Sequence, residues 1–207
     1  MNKQPGWGNI PWMTLWDAMK TCPQTKNQSV WEHGESVRDH LSKLIAFLRG
    51  NETTLEGWRL PNWIFIYRSE LLSSLAPDGV LETYAMYHDC GKPFCRTVDA
   101  EGKQHFPDHA KVSRAKYLEI AEGTENCYEI ADLIAHDMDI HTMSSEDVEA
   151  FCKLKNATSL LLTGIAEIHS NAAMFGGIES VSFKIKWKQI DKRGKSICEK
   201  LFGKKGV

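Results

Sequence analysis

Ser29 stands three residues before Glu32. From there the apolar residues fall three or four apart, at Val37, Leu41, Leu44 and Leu48, until Gly50. A hydroxyl and a carboxylate at that spacing form a reciprocal cap on the free N–H groups of a helix start, and glycine is the residue that ends one. The pattern predicts a helix from about Ser29 to Arg49 with one inward stripe. His33 lies on that stripe, four residues before Val37, and so faces inward. The same period returns over Val80 to Cys90, where Leu81, Ala85 and His88 share a face and Gly91 and Pro93 close it. Further helices are predicted near 126–138, 145–153, 158–173 and 181–202. The last carries Phe183, Trp187, Ile190, Ile197 and Leu201 at helical spacing. No series of strands with period-two alternation competes, so the chain is expected to be all-α. Trp63 to Tyr67 is a short apolar run that fits a strand or a buried helix equally. Arg96 to Pro107 is polar and turn-like around Glu101-Gly102, and Asp108 is a candidate N-cap for a helix starting at His109.

A chain of 207 residues suits one domain, 1–207, with a sizeable core. No apolar stretch reaches the roughly 20 residues that cross a bilayer, and Met1 to Thr14 lacks the basic-then-apolar order of a secretory signal. A cytoplasmic location is expected. The six cysteines include no CxxC pair. They read as reduced thiols that fill space, Cys90 and Cys95 among them. The net charge of −2 conceals a division: Lys184 to Val207 holds nine basic and two acidic residues, or +7, which leaves −9 on the rest. The basic C-terminal helix and tail, 181–207, are therefore a candidate RNA or DNA contact, against the plainer reading of a solvated helix face. Residues 1–28 form an irregular, Trp-rich arm. Trp7, Trp12 and Trp16 sit among Pro5, Gly6, Gly8, Pro11 and Pro23, with a helical turn near Thr14 to Met19. These rings are expected to pack onto the body, a base-stacking platform being the sharper alternative.

The chemistry concentrates in His88-Asp89-Cys90-Gly91-Lys92-Pro93. An adjacent imidazole and carboxylate at a helix C-terminus offer mixed N/O donors to one point, which divalent transition metals accept. His33 supplies a second imidazole, and Asp89 has two oxygens with which to bridge two ions. Lys92 places an ammonium beside the site, suited to the charge on a phosphate oxyanion.

His33, then His88-Asp89 with Gly91-Lys92 behind it, resembles the HD phosphohydrolase superfamily. The similarity is closer still to the HD domain attached to bacterial CCA-adding tRNA nucleotidyltransferases. It runs through Arg96-Thr97, Glu101-Gly102-Lys103, Phe106 and His109-Ala110-Lys111-Val112, and continues at Asp137, Ile140, His141 and Thr142. The nucleotidyltransferase domain has no counterpart, so the resemblance implies a free-standing HD-type helical bundle. It implies a divalent metal cofactor, one or two ions of Mn, Fe, Co, Ni or Mg. His33, His88 and Asp89 would hold the first ion. His109 and His136, joined by Asp137, match the added ligands of two-metal relatives. Asp89 and Lys92 would be the catalytic pair. The family pattern ends on an Asp from a later helix, whereas this chain reads Ile165-Ala166-Glu167-Ile168-His169-Ser170-Asn171. Glu167 or His169 is a substitute ligand there, Asp137 and Asp139 are others, and His141 is a further candidate for substrate or metal.

The implied activity is metal-dependent hydrolysis of a phosphomonoester or phosphodiester: a nucleotide, a cyclic nucleotide or a nucleic-acid phosphate end. A deoxynucleotide phosphohydrolase is a narrower alternative. A non-catalytic nucleic-acid-binding protein with a degenerate HD site is the alternative of a different class, motivated by the missing Asp, the Trp-rich arm and the basic tail.

Overall fold

The computed structural model describes residues 12–205 and is all-α apart from two short hairpins. Helix α1 (Trp12–Thr21) leads through β1 (Pro23–Thr25) and β2 (Gln28–Ser29) into α2 (Val30–Arg49). Then come α3 (Asn62–Ile66), α4 (Arg68–Ser73), α5 (Asp78–Tyr87) and α6 (Lys92–Cys95). The second hairpin pairs β3 (Thr97–Val98) with β4 (Gln104–His105). The remainder is α7 (His109–Ala121), α8 (Cys127–Ala135), α9 (Asp139–Thr142), α10 (Val148–Phe151), α11 (Ala157–Ser170) and α12 (Val181–Phe202).

Helix α2 is the axis of the bundle, packed against α1, α5 and α11. Its start is the capping box expected from sequence. Ser29 Oγ accepts from the Glu32 N–H at 3.2 Å, and the Glu32 carboxylate accepts from the Ser29 N–H at 2.7 Å. Gly50 ends the helix in the left-handed region, at φ 83°, a conformation that costs glycine nothing. The stripe Val37, Leu41, Leu44 and Leu48 is buried as predicted, and His33 with it. Helix α11 is buried without a break from Ala157 to Ala166. That is the pattern of a central helix rather than a surface one.

Two glycines set how closely the site-bearing segments approach. A Cβ on Gly34 would lie 2.3 Å from the carbonyl oxygen of Met86, and one on Gly91 would lie 2.2 Å from the backbone nitrogen of Ser113. Gly34 follows His33, and Met86 comes two residues before His88. The bare backbone at Gly34 is therefore what lets the two imidazoles come within 5.1 Å, ring centre to ring centre. Gly34→Ala is expected to destabilise the protein by about 2 kcal/mol or more, because a carbonyl cannot rotate out of the way as a side chain can. It should also lower metal retention by forcing α2 and α5 apart. Urea unfolding together with elemental analysis checks both effects.

One open choice is closed and three expectations need adjustment. Trp63 to Ile66 is helical, within α3, and Trp63 anchors it by donating from Nε1 to Asp191 O at 3.1 Å. Asp108 does occupy the N-cap position of α7, but at φ 52° and with no side-chain cap bond, so it acts through its left-handed backbone and not its carboxylate. The helix expected over 126–138 breaks: α8 ends at Ala135 and α9 restarts at Asp139. The arm is more regular than expected, since α1 begins at Trp12. Trp7 and the side chain of Trp12 lie outside the described residues. Trp16 does pack on the body, with its ring 5.4 Å edge-on to Trp31 and its Nε1 donating to Tyr87 Oη at 2.9 Å.

Helix α12 has the bounds read from the sequence and is seated by Phe183, Ile190, Ile197 and Cys198. Its charge is partly neutralised within the fold. Lys184 pairs with Glu179 at 2.7 Å, Lys200 with Glu149 at 3.5 Å, and Lys205 with Glu70. Arg193 donates to the carbonyls of Ile140 and His141, both at 3.0 Å.

Candidate metal centre

His33 enters from the first turns of α2, His88 caps the end of α5, Asp89 follows it, and Glu167 comes from α11. One donor atom each from His33, His88 and Glu167 lie within 4.8 Å of one another. Asp89 stands among the imidazoles: its Oδ2 is 3.5 Å from His33 Nε2 and 3.3 Å from His88 Nε2, and its Oδ1 is 3.6 Å from His109 Nε2. Donors on a divalent ion with bonds of about 2.1 Å stand roughly 3 to 3.4 Å apart, and the spacings of Asp89 Oδ2 from the two imidazole nitrogens, 3.3 and 3.5 Å, come near that value.

Both nitrogens of His33, Nε2 of His88 and Oδ1 of Asp89 are buried and have no hydrogen-bond partner among the described residues. Each such group costs about 1–3 kcal/mol if nothing meets it. Several of them lie around Asp89, where a bound ion would satisfy them. His88 is oriented for this role. Its Nδ1 donates to Ala85 O at 2.8 Å, since that carbonyl can only accept, and Nε2 is thereby aimed at the cluster.

The electrostatics favour a cation here. Burial opposes ionisation of Asp89, but Lys92, whose Nζ lies 2.5 Å from Oδ2, and His88 outweigh it and hold the carboxyl well below the usual range. Burial likewise opposes charge on His88. Asp89, Asp137 and Glu167 overcome it and hold the imidazole up to about 10, so the ring is positive at pH 7 and an ion binding there would displace its Nε2 proton. His33 is pushed down to about 4 by burial and by His88, so it is a neutral imidazole at pH 7, the form that binds metal. Burial opposes ionisation of Glu167 as well, and His141 and His88 together reverse it.

Of the candidate substitute ligands, Glu167 is brought within reach of His33 and His88. Its Oε2 meets His141 Nε2 at 2.7 Å, which fixes the carboxylate. His141 is in this way the partner of a candidate ligand. His169 is not brought to the cluster. Residues two apart on a helix point about 200° apart, so Glu167 and His169 cannot both face the cluster. Both ring nitrogens of His169 are used: Nδ1 donates to Ile165 O at 2.7 Å and Nε2 accepts from the Arg59 N–H at 3.0 Å. The ring stacks on Trp58 at 4.3 Å.

The second-ion ligands divide. His109 reaches the cluster, its Nδ1 directed at Phe106 O and its Nε2 at Asp89. Asp137 is buried, and its Oδ1 accepts from the Tyr84 hydroxyl at 2.5 Å. Burial pushes its carboxyl up, against His88. It lies next to the centre with one oxygen already committed. His136 is turned away. Because α8 ends at Ala135, the ring swings onto Asp139, with Nδ1 2.7 Å from Oδ2, and lines a separate cleft with Thr142 and Phe151. Asp139 is thereby placed outside the cluster too. Tyr84 and Gln24 are neighbours of the centre that the sequence reading missed. Gln24 Nε2 is 3.4 Å from Asp89 Oδ2, and its Oε1 accepts from Lys92 Nζ at 3.1 Å. Cys90 is buried with its Sγ against Ser113 O, a space-filling thiol as expected.

His169 carries a prediction of its own. Burial, with His40 adding to it, lowers its pKa to about 4, so the folded ring resists a proton that the unfolded ring accepts near pH 6.5. The unfolded chain therefore binds more protons between those values. The adverse effect is absent above pH 6.5 and grows as pH falls, reaching about 3 kcal/mol near pH 4. In urea unfolding, His169→Gln should lose less stability than the wild type between pH 7 and pH 4.5. Equal losses would show that this ring does not resist protonation.

Comparison with protein-family models, with curated proteins and with solved structures finds no match to this chain.

Proposed function

We propose that this chain is a metal-dependent phosphohydrolase acting on a nucleotide, a cyclic nucleotide or a nucleic-acid phosphate end. One observation carries the reading: His33, His88 and Glu167 come together, with Asp89 beside the two imidazoles, unpartnered donor atoms on the histidines and Asp89, and the ammonium of Lys92 at its side. Those four residues fit a divalent ion, and His109 is near enough to Asp89 to serve a second. Such an ion would supply Lewis acidity and lower the pKa of a bound water toward neutrality. The chain's own groups supply the rest. Asp89 carries the charge that holds Lys92 in place, and Lys92 Nζ offers donors to phosphoryl oxygens where negative charge grows. Phe106, with its ring centre 5.3 Å from Nζ, shields that ammonium from water. His141 and Tyr84 lock the carboxylates of Glu167 and Asp137.

The non-catalytic alternative drew on the missing Asp and on the basic tail. Glu167 supplies a carboxylate in the cluster, and several tail cations are matched by acids of the same chain. Both features favour the enzyme. The test is hydrolysis of p-nitrophenyl phosphate, bis-p-nitrophenyl phosphate, 2′,3′-cyclic nucleotides and deoxynucleotides with Mn²⁺, Co²⁺ or Ni²⁺. Turnover is expected with at least one ion, and none with any of them would end the proposal.

A further inference from the structure

Gln24 belongs to the hairpin between α1 and α2, a segment that contributes no candidate ligand. Yet its side chain crosses to Asp89 and Lys92, more than sixty positions along the chain. The amide orientation follows from chemistry. Lys92 Nζ can only donate, so the atom facing it at 3.1 Å is Oε1. The ionised Asp89 can only accept, so the atom facing it at 3.4 Å is Nε2.

The backbone beneath this side chain is braced. Gln104 Nε2 donates to Gln24 O at 2.9 Å, and Arg96 Nε donates to Gln104 Oε1 at 3.1 Å, which ties the two hairpins together. The first hairpin is closed at its root by the Val30 N–H on Cys22 O at 2.9 Å. A fixed carboxamide is thus aimed at the centre. It is underused, because its contact with Asp89 is long for a hydrogen bond and its second N–H has no partner among the described residues. His33, His88 and Asp89 are buried, whereas Gln24 is partly exposed.

We propose that Gln24 is a phosphate-binding residue of this centre, its carboxamide N–H donating to a non-bridging phosphoryl oxygen beside Lys92. The assignment rests on the phosphohydrolase reading, and its test separates the two. Inorganic phosphate is titrated by calorimetry into metal-loaded wild type, Gln24→Ala and Gln24→Asn, with metal content measured alongside. The dissociation constant for phosphate should rise about tenfold in both variants, as for loss of a hydrogen bond to a charged group, with metal content unchanged. Gln24→Glu should weaken phosphate further by like charge. With a hydrolysed substrate, KM should rise more than kcat falls. Equal phosphate affinity in wild type and both variants would overturn the proposal, as would a wild type that binds no phosphate, or loss of metal in both variants. Phosphate binding that depends on Gln24 in a protein that hydrolyses nothing would support this assignment while removing the enzyme reading. Hydrolysis with phosphate affinity indifferent to Gln24 would do the reverse.

Discussion

Asp89→Ala should leave a protein that retains no divalent metal and turns over substrate about a thousandfold more slowly, if at all. A thousandfold corresponds to ~4 kcal/mol of barrier. The size follows from how many neighbours the carboxylate serves. It is 2 % exposed, pairs with Lys92 at 2.5 Å, and lies within 3.6 Å of three histidine nitrogens. Removing it leaves the buried Lys92 ammonium uncompensated, a change that costs about 3–5 kcal/mol on its own. It also removes the largest of the influences that hold the His88 ring positive. Asp89→Asn separates shape from charge. It keeps the volume, so a loss of metal in that variant is due to the missing charge. Lys92→Ala is the complementary variant: it should keep its metal and lose turnover about a hundredfold, as when one transition-state donor is removed. Elemental analysis and p-nitrophenyl phosphate hydrolysis on the same preparations decide. Metal retained in Asp89→Ala at the wild-type level would remove Asp89 from the ligand set.

The parts of this molecule that were legible in its sequence are those whose causes are local. The α2 capping box needs only Ser29 and Glu32, and the inward aim of His33 needs only the period of Val37 and Leu41. The bounds of α12 follow from its apolar spacing, and Ser180 caps it through its side chain. Contacts closed by the fold were not legible. Gln24 offers no local sign that it reaches Lys92, because the chain between them folds back through all of α2 and α5 before they meet. Tyr84 reads as one more apolar residue of α5 until Asp137 is found against its hydroxyl. His136 was misplaced because its direction depends on where α8 stops, and a break near Ala135 has no Gly or Pro to announce it. The fourth candidate ligand lay between these cases. Its segment was visible, but the choice between Glu167 and His169 depended on which way α11 is turned, and α11 is apolar on nearly every side.

That choice is testable directly. Glu167→Gln should weaken metal binding between tenfold and a hundredfold, with turnover falling in step, while His169→Gln should hold metal as the wild type does. The glutamine keeps the side-chain length and can still meet His141. What it loses is the anionic donor toward His33 and His88 and the charge that, with Asp137, holds His141 above its ordinary pKa. His169 has neither nitrogen free, and its bonds to Ile165 and Arg59 brace the wall formed by α11 and Trp58. Its loss should therefore show in stability rather than in metal content. Glu167→Asp keeps the charge on a side chain one methylene shorter, on a helix placed for the longer one. An intermediate affinity is expected, above that of the glutamine variant because the charge is kept. Asp137→Asn is the decisive comparison. With one oxygen held by Tyr84, it should cost less metal than Glu167→Gln, and the opposite ranking would make Asp137 the last ligand and leave Glu167 as the partner of His141 alone.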